Sequence, residues 1–451
     1  MDRRRFLTTL GAAALPIRGL GAARRDRQLR VDGARLRSQI ERLSEFGRPP
    51  GGAFADGVSR IAYTDADVNA RAYVMSLMRE AGLFPYVDPA GNIFASVSRT
   101  RDSIVRGSDR PILFGSHIDS VPSGGNFDGD LGSLAAIEAV RTLHAAGVRT
   151  RHPLEVVVWA EEEGSAYGRS LSGSRAVAGE FPWSELDLVV NGVSKADAIR
   201  RIGGDPLRLE QARRKPEDFH AYLELHIEQG GTLERARLPI GVVEGIVSIE
   251  RYDVTVRGFA NHAGTTPMGE RQDALVAASQ LILAIREIVT REPGRQVGTV
   301  GKLEVSPNAT NVVPGVVTHT IDLRDLDGAK LGRLAEEIRG RAREIAAATR
   351  TEIAITRVTH HDAALAAPAM QDAVARAADT LGLRWTGMPS GAGHDAQMAA
   401  RLCPMGMIFV PSAGGISHSP RELTAWDDCT RGADVLLQTV LVVDQMARPL
   451  L

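Results

Sequence analysis

Cysteine is nearly absent from this sequence: Cys403 and Cys429 are the only two in 451 residues. Two thiols cannot build a zinc–thiolate cluster or a disulfide framework, and both are expected to be unrelated buried thiols. A surplus of either charge is missing as well. Lys and Arg number 54 against 55 Asp and Glu, for a formal net charge of −1, so there is no basic excess to neutralise a nucleic-acid backbone and no nucleic-acid partner is expected. No apolar run reaches the roughly 18–20 residues that a membrane-spanning helix needs, so no span is expected in the mature protein. No internal repeat or low-complexity tract interrupts the chain. What is there is a 43% hydrophobic chain long enough for a large core and longer than one compact domain usually needs, so two domains are expected.

The first residues run Met-Asp-Arg-Arg-Arg-Phe-Leu and then Thr-Thr-Leu-Gly-Ala-Ala-Ala-Leu, a basic start followed by a short, mild apolar stretch. Arg3, Arg4, Phe6 and Leu7 resemble a twin-arginine export signal, and Gly21-Ala22-Ala23 offers a small-residue cleavage site. Residues 1–29 are therefore read as signal and leader, and the mature enzyme as periplasmic or exported. Pro16 and Arg18 shorten the apolar part; if the signal is not functional, the segment is a frayed basic terminus and the protein is cytoplasmic.

From about Arg30, apolar β-rich runs alternate with helical stretches, the pattern of an α/β domain with a mostly parallel sheet. Ile112–Gly115, Leu154–Ala160 and Ala221–Leu225 read as buried strands. Each ends just before acidic or histidine residues, and ligand sites of open α/β sheets lie beyond the carboxyl ends of the strands. Around Val247 the pattern changes. A strand at Arg251–Arg257, a helix through Leu275, Ala278, Leu281, Ile282 and Ile285, strands at Gly298–Glu304 and Val316–Arg324, a helix through Leu331, Leu334, Ile338, Ala342 and Ile345, and a strand at Glu352–Arg357 follow in turn. That order, βαββαβ, is ferredoxin-like. The chain thus divides into a first catalytic part, 30–246, an inserted α+β domain, 247–358, and a second catalytic part, 359–451, with a strand at Met407–Val410 and a Gly/Ser-rich loop after it.

The chemistry sits at the strand ends. Gly115-Ser-His117-Ile-Asp119 and Gly124-Gly-Asn-Phe-Asp128-Gly place a histidine and two aspartates on a glycine-rich loop that can fold back. His117 and Asp128 could then share one cation, with Asp119 orienting the imidazole. Glu161-Glu162-Glu163 follows the next strand; three adjacent carboxylates in a partly buried place repel one another unless a cation is near, which favours metal binding for one and base catalysis for its neighbour. Judged alone, His226, in Glu224-Leu-His-Ile-Glu-Gln-Gly, is as readily a packed core residue as a ligand. His418, in Gly415-Ile-Ser-His-Ser-Pro, has the same strand-end character.

Together with Asn261-His-Ala-Gly-Thr-Thr-Pro-Met, Asn311-Val-Val-Pro-Gly and Ser390-Gly-Ala-Gly-His-Asp-Ala, these segments resemble the hydantoinase/carbamoylase family of amidases. This group of N-carbamoyl-L-amino acid hydrolases, β-ureidopropionases and allantoate amidohydrolases is a branch of the di-zinc aminoacylase and carboxypeptidase clan. The resemblance spans roughly Arg30 to the C-terminus. It implies a metallopeptidase-like catalytic domain and two divalent metal ions, one held by His117 and His226, the other by Glu163 and His418, with Asp128 bridging. It also implies Glu162 as general base toward a water bridging the metals. Zinc comes first, although manganese, cobalt and nickel suit the same ligands. By the same resemblance, Gln229, His262, Asn311 and Arg324 bind substrate or the developing oxyanion, His394 lies in a site loop, and the inserted domain acts as lid and homodimer interface. For Arg324, an ion pair with Asp322 or Asp325 is the competing reading. Ala166-Tyr167 stands where the family often has Arg-Phe, which weakens any inference about which acid is accepted. His144, His152, His220, His319, His360 and His361 match nothing and are read as surface or packing residues.

The activity implied is hydrolysis of a C–N bond in a small ureido or amide-bearing acid: an N-carbamoyl-L-amino acid, ureidopropionate or allantoate. An exported aminoacylase or dipeptidase is the alternative; a binding protein without catalysis is disfavoured because no ligand or base is missing. The export reading predicts a protein shortened near Ala23 in the periplasmic fraction. Full-length, uncleaved chain in the cytoplasm would overturn it.

Overall fold

The computed structural model describes residues 28–97, 110–216 and 218–447; of the expected signal and leader segment, 1–29, residues 1–27 lie outside them. Among the described residues, nine strands form the principal sheet. Eight run in the order Phe84–Val87, Ile93–Ser96, Leu154–Trp159, Ile112–His117, Ala221–Ile227, Met405–Val410, Ile240–Ile246 and Ala364–Leu365, and Trp385–Ser390 also pairs with Ile240–Ile246. The four central strands, Leu154–Trp159 to Met405–Val410, are mutually parallel. Each is buried from end to end, as expected for a sheet covered on both faces. Helices Gly33–Leu43, Asp130–Ala145, Pro368–Thr380 and Trp426–Asp444 supply much of that cover, packing Leu36, Ile40, Leu134, Ile137, Val374 and Leu436 into one core with the strands. Cys403 and Cys429 are both buried.

The sheet as a whole is mixed, which corrects the expectation of a mostly parallel one. Phe84–Val87 and Ile93–Ser96 are antiparallel to each other, and Ile93–Ser96 is antiparallel to Leu154–Trp159. On the far side Ile240–Ile246 runs against both Met405–Val410 and Ala364–Leu365. The reason at the first edge is the connection. Asp88 accepts the N–H groups of Ala90 and Asn92, both at 2.9 Å, closing a turn too short for the crossover that parallel strands require.

A second antiparallel sheet is built from residues 248–361. Its order is Val297–Thr299 and Leu303–Ser306 end to end along one edge of Val316–Asp325, then Ser248–Arg257, then Glu352–His361. Strands Ser248–Arg257 and Val316–Asp325 alternate between buried and more exposed positions, the signature of a sheet covered on one face. Helices Ala274–Arg291 and Gly328–Thr349, capped by Asp273 and Asp327, join Val254, Val256, Val317 and Ile321 in a separate apolar cluster. Among the described residues, no helix is long and apolar enough to cross a membrane.

One buried ion pair braces the edge of the site. Arg60 pairs with Asp130, the first residue of helix Asp130–Ala145, and also donates to the carbonyls of Leu43, Phe46 and Ile118. Burial pushes the Asp130 carboxyl up to about 7 against the pull of Arg60. Removing one partner of a buried pair costs about 3–5 kcal/mol, and a carboxyl that can neutralise itself places the cost at the lower end. Arg60→Ala is therefore expected to shift urea unfolding by about 3 kcal/mol; an unchanged transition would show that the pair contributes nothing.

Candidate metal centre and active site

The carboxyl ends of the parallel strands converge. His117 ends one of them, and its Nδ1 lies 3.0 Å from the carbonyl of Asp119. His226 sits near the end of the next, with Nδ1 2.9 Å from the carbonyl of Ile227. A carbonyl only accepts, so both rings are assigned a proton on Nδ1, and in the neutral rings the Nε2 lone pairs are left free. Those lone pairs face one oxygen: Asp128 Oδ1 is 3.4 Å from His117 Nε2 and 3.1 Å from His226 Nε2. The other oxygen, Oδ2, lies 3.3 Å from His418 Nε2, which is 3.5 Å from Glu163 Oε2. Asp128 thus stands between two donor groups, His117 with His226 and Glu163 with His418. Within each group the ligand-capable atoms, Asp128 included, lie within 4.8 Å of one another. Gly129 follows Asp128 with φ +66°, and a Cβ there would press on the His117 ring, so the turn into the helix needs glycine.

The acidic triplet is split by its backbone. Glu161 has φ +52° and turns inward, where Lys195, Ser172 and Tyr63 hold its carboxylate at 2.9, 2.6 and 3.0 Å. Glu162 and Glu163 turn toward the histidines, and Glu162 Oε2 is 3.8 Å from His117 Nε2. Asp119 fixes both: its two oxygens accept the N–H groups of Glu162 and Glu163, each at 3.2 Å.

The charges in this cluster are unbalanced in a way that divalent cations would satisfy. Burial, with Asp128 as the next cause, raises the Glu163 carboxyl to about 7. The contact with Asp128 raises His418 to about 9 against the effect of burial. His117 is raised well above its usual range because Glu162, Asp128 and Asp119 together outweigh its burial. His226 Nε2 and Glu163 Oε1 are buried without a hydrogen-bond partner, although His226 Nε2 approaches Asp128 closely. A short approach without hydrogen-bond geometry, made by imidazole nitrogens and carboxylates, is what a shared cation would explain, so the residues fit such an ion.

Comparison with known proteins bears on this site. Residues 113–442 match the model of peptidase family M20/M25/M40. The chain belongs to this family. Among the relatives of this M20 member, the N-carbamoyl-L-amino acid amidohydrolase of Geobacillus stearothermophilus is 43% identical over 412 residues, covering 91% of this chain and 98% of its own. The ureidoglycolate hydrolase of Arabidopsis thaliana is 37% identical over 425 residues, covering 91% and 87%. Among solved structures, a hydantoinase/carbamoylase family amidase from Burkholderia multivorans superposes with a TM-score of 0.84 at 35% identity, covering 94% of this chain and 100% of that one.

Other expected site residues of this M20 chain lie in different surroundings. Gln229, with φ +58°, turns its amide to Asp128 Oδ2 at 2.6 Å. His394 is buried against His226, ring centroids 4.4 Å apart, and its Nε2 lies 2.9 Å from Ser390 Oγ. His262, on strand Asn261–His262, and Asn311, just before its partner strand Val312–Val313, are brought close by that pairing and are exposed. Arg324 is paired with Asp322 at 2.7 Å and donates to the Gly391 carbonyl at 2.7 Å. A cavity of about 520 Å³ lies beside it, lined by Arg251, Asp322, Arg324 and Gly391, not by the histidine cluster. His152 and His220 stack at 3.8 Å, away from the site. Sequence reasoning missed Arg60, Lys195 and Glu422, each a charged residue that nothing local marks as buried.

Because His418 and Glu163 carry protons up to about 9 and 7, a cation must displace them. Adding a divalent metal to stripped protein at pH 7.5 is therefore expected to release protons, and affinity to fall as the pH is lowered from 9 toward 6. Uptake without proton release would contradict the assigned protonation.

Proposed function

We propose that this chain is a metal-dependent amidohydrolase that cleaves the C–N bond of an N-carbamoyl-L-amino acid or a related ureido acid such as ureidopropionate or allantoate. The observation that carries the reading is Asp128 set between two donor groups with a buried Glu162 at their side. His117 and His226 would hold one divalent cation, Glu163 and His418 the other, and Asp128 would contact both. When bound, such cations polarise a carbonyl and make a nearby water more acidic. Relatives that are N-carbamoyl-L-amino acid amidohydrolases at 43% and 38% identity support the substrate class.

Glu162 has the properties of the proton carrier. Burial raises its carboxyl well above the usual range; His117 opposes the shift, and Asp395, Glu163 and Asp119 add to it. A carboxyl raised in this way can take a proton from the attacking water and return it to the departing nitrogen near neutral pH. Asp119 holds the Glu162 backbone so that the carboxyl stays beside His117.

The second sheet is read as a ferredoxin-like lid and dimerisation domain, about 247–358. Its order, with Ser248–Arg257 and Val316–Asp325 at the centre, Glu352–His361 on one side and the short strands Val297–Thr299 and Leu303–Ser306 on the other, supports this. The exposure of His262 and Asn311 supports their acting on the active site of a second copy, and Arg324, once released from Asp322, offers a planar fork for the substrate carboxylate. A monomer by light scattering would exclude the action in trans.

The deciding experiment is ammonia release by zinc- or manganese-loaded protein from a panel of N-carbamoyl-L-amino acids, ureidopropionate and allantoate. Release from one compound is expected, with Glu162→Gln lowering kcat at least about 100-fold, as for loss of a general base. Silence across the panel, with turnover of N-acyl amino acids or dipeptides instead, would transfer the assignment to an aminoacylase or dipeptidase. Full turnover by Glu162→Gln would remove Glu162 from its role.

A further inference from the structure

We infer that Glu422 is the positioning residue that fixes the Asp128 loop against the His418 loop, and that retention of metal by the enzyme depends on it. The inference rests on reading Asp128 and His418 as ligands. Those two residues lie on loops 290 positions apart in sequence, and the described contacts include one buried carboxylate that binds both loops at once. Glu422 Oε1 accepts the N–H groups of Phe127 and Asp128 at 3.0 and 3.1 Å, and Oε2 accepts the hydroxyl of Ser417 at 2.8 Å. Phe127 and Asp128 stand between strand Ile112–His117 and helix Asp130–Ala145, outside any strand or helix that could pair their N–H groups.

Three further features point the same way. A Cβ on Gly125 would overlap the Glu422 carboxylate, so the loop carries glycine where this side chain enters. The Ser417 hydroxyl lies 2.8 Å from Glu422 and 3.2 Å from Asp128 Oδ2. It has one proton, and the shorter contact commits it to Glu422, leaving Asp128 Oδ2 to Gln229 and the His418 side. Phe127 is also wedged between Phe54 and Trp426, at 5.8 and 5.2 Å, so the loop is anchored by packing on one side and by Glu422 on the other. Glu422 therefore acts on the ligands through backbone and hydroxyl contacts.

Chelator-competition titration with Mn²⁺, followed by kcat and KM at saturating metal, tests this. Glu422→Ala is expected to weaken Mn²⁺ retention about 10- to 100-fold, the usual effect of removing a group that orients a ligand. KM at saturating metal should stay within about twofold, because uniform substrate binding is untouched. Glu422→Gln, which keeps an acceptor for the two N–H groups, should recover most of the loss. Gly125→Ala should reproduce it with Glu422 present, yet add little to Glu422→Ala, since the group it collides with is gone. Ser417→Ala, which removes one contact only, should give a smaller loss and covers the case in which Glu422→Ala does not fold. Wild-type Mn²⁺ retention in Glu422→Ala or, if that variant does not fold, in Ser417→Ala, or fully additive losses in the double variant, would overturn the inference while leaving the metal reading intact. A wild-type protein that binds no divalent cation would overturn both.

Discussion

Every feature of the site depends on one constraint: a carboxylate taken out of water must be given a partner. The carboxyl ends of the central strands bury Asp119, Asp128, Glu161, Glu162, Glu224 and Glu422 close together. Each finds a different kind of relief. Glu161 is neutralised by Lys195. Asp119 and Glu422 are held by pairs of backbone N–H groups. Glu224 takes the hydroxyls of Ser116 and Tyr222 and the N–H of Ala396. Asp128 and Glu162, with the less buried Glu163 beside them, have imidazoles as their nearest cationic groups, and Asp128 also takes the Gln229 amide. Three histidines can neutralise those carboxylates only by carrying protons, and the carboxylates raise His117 and His418 accordingly, while burial raises Glu162 and Glu163. Divalent cations would remove the same imbalance with the histidines neutral.

The relief is arranged by residues whose backbone departs from the ordinary regions. Glu161, Gln229 and His418 all have positive φ, a conformation that costs energy for a residue with a side chain and persists only where the surroundings enforce it. For Glu161 the enforcement is visible in the Lys195, Ser172 and Tyr63 contacts. Its effect is to send the first carboxylate of the triplet into the protein and the next two toward the histidines.

Much of this was legible in the amino-acid sequence, because the site is local to strand ends. An apolar run followed at once by His, Asp or Glu marks the carboxyl end of a buried strand, and His117, Glu163 and His226 all carry that mark. The outer strands carry weaker signals. Phe84–Val87 is only partly buried and contains Pro85, so neither alternation nor a continuous apolar run announces it, and the mixed character of the sheet was missed with it. Repulsion within the Glu161–Glu163 triplet points to a cation, and for Glu161 that cation is Lys195. A lone lysine opening a short helix looks like a solvated residue. Glu422 is equally unmarked, because its role exists only across 294 positions of sequence to Asp128.

Arg324 joins the second sheet to the loop after strand Trp385–Ser390 of the first. Its guanidinium is held by Asp322, which also binds Arg251 at 2.7 Å, and it reaches the Gly391 carbonyl. Gly391 adjoins Ser390, whose hydroxyl meets His394, and His394 packs on His226. Asp322 is held by both arginines below the usual carboxylate range, against the effect of burial. If Arg324 turns to a substrate carboxylate, one carboxylate replaces another on the same fork, and Arg251 remains to hold Asp322. The exchange strands no charge, so its net cost is small compared with exposing an unpaired guanidinium. If the turn also broke the Gly391 contact, one of the links between the second sheet and the loop beside His226, binding of an acid at Arg324 would be coupled to the position of the second sheet.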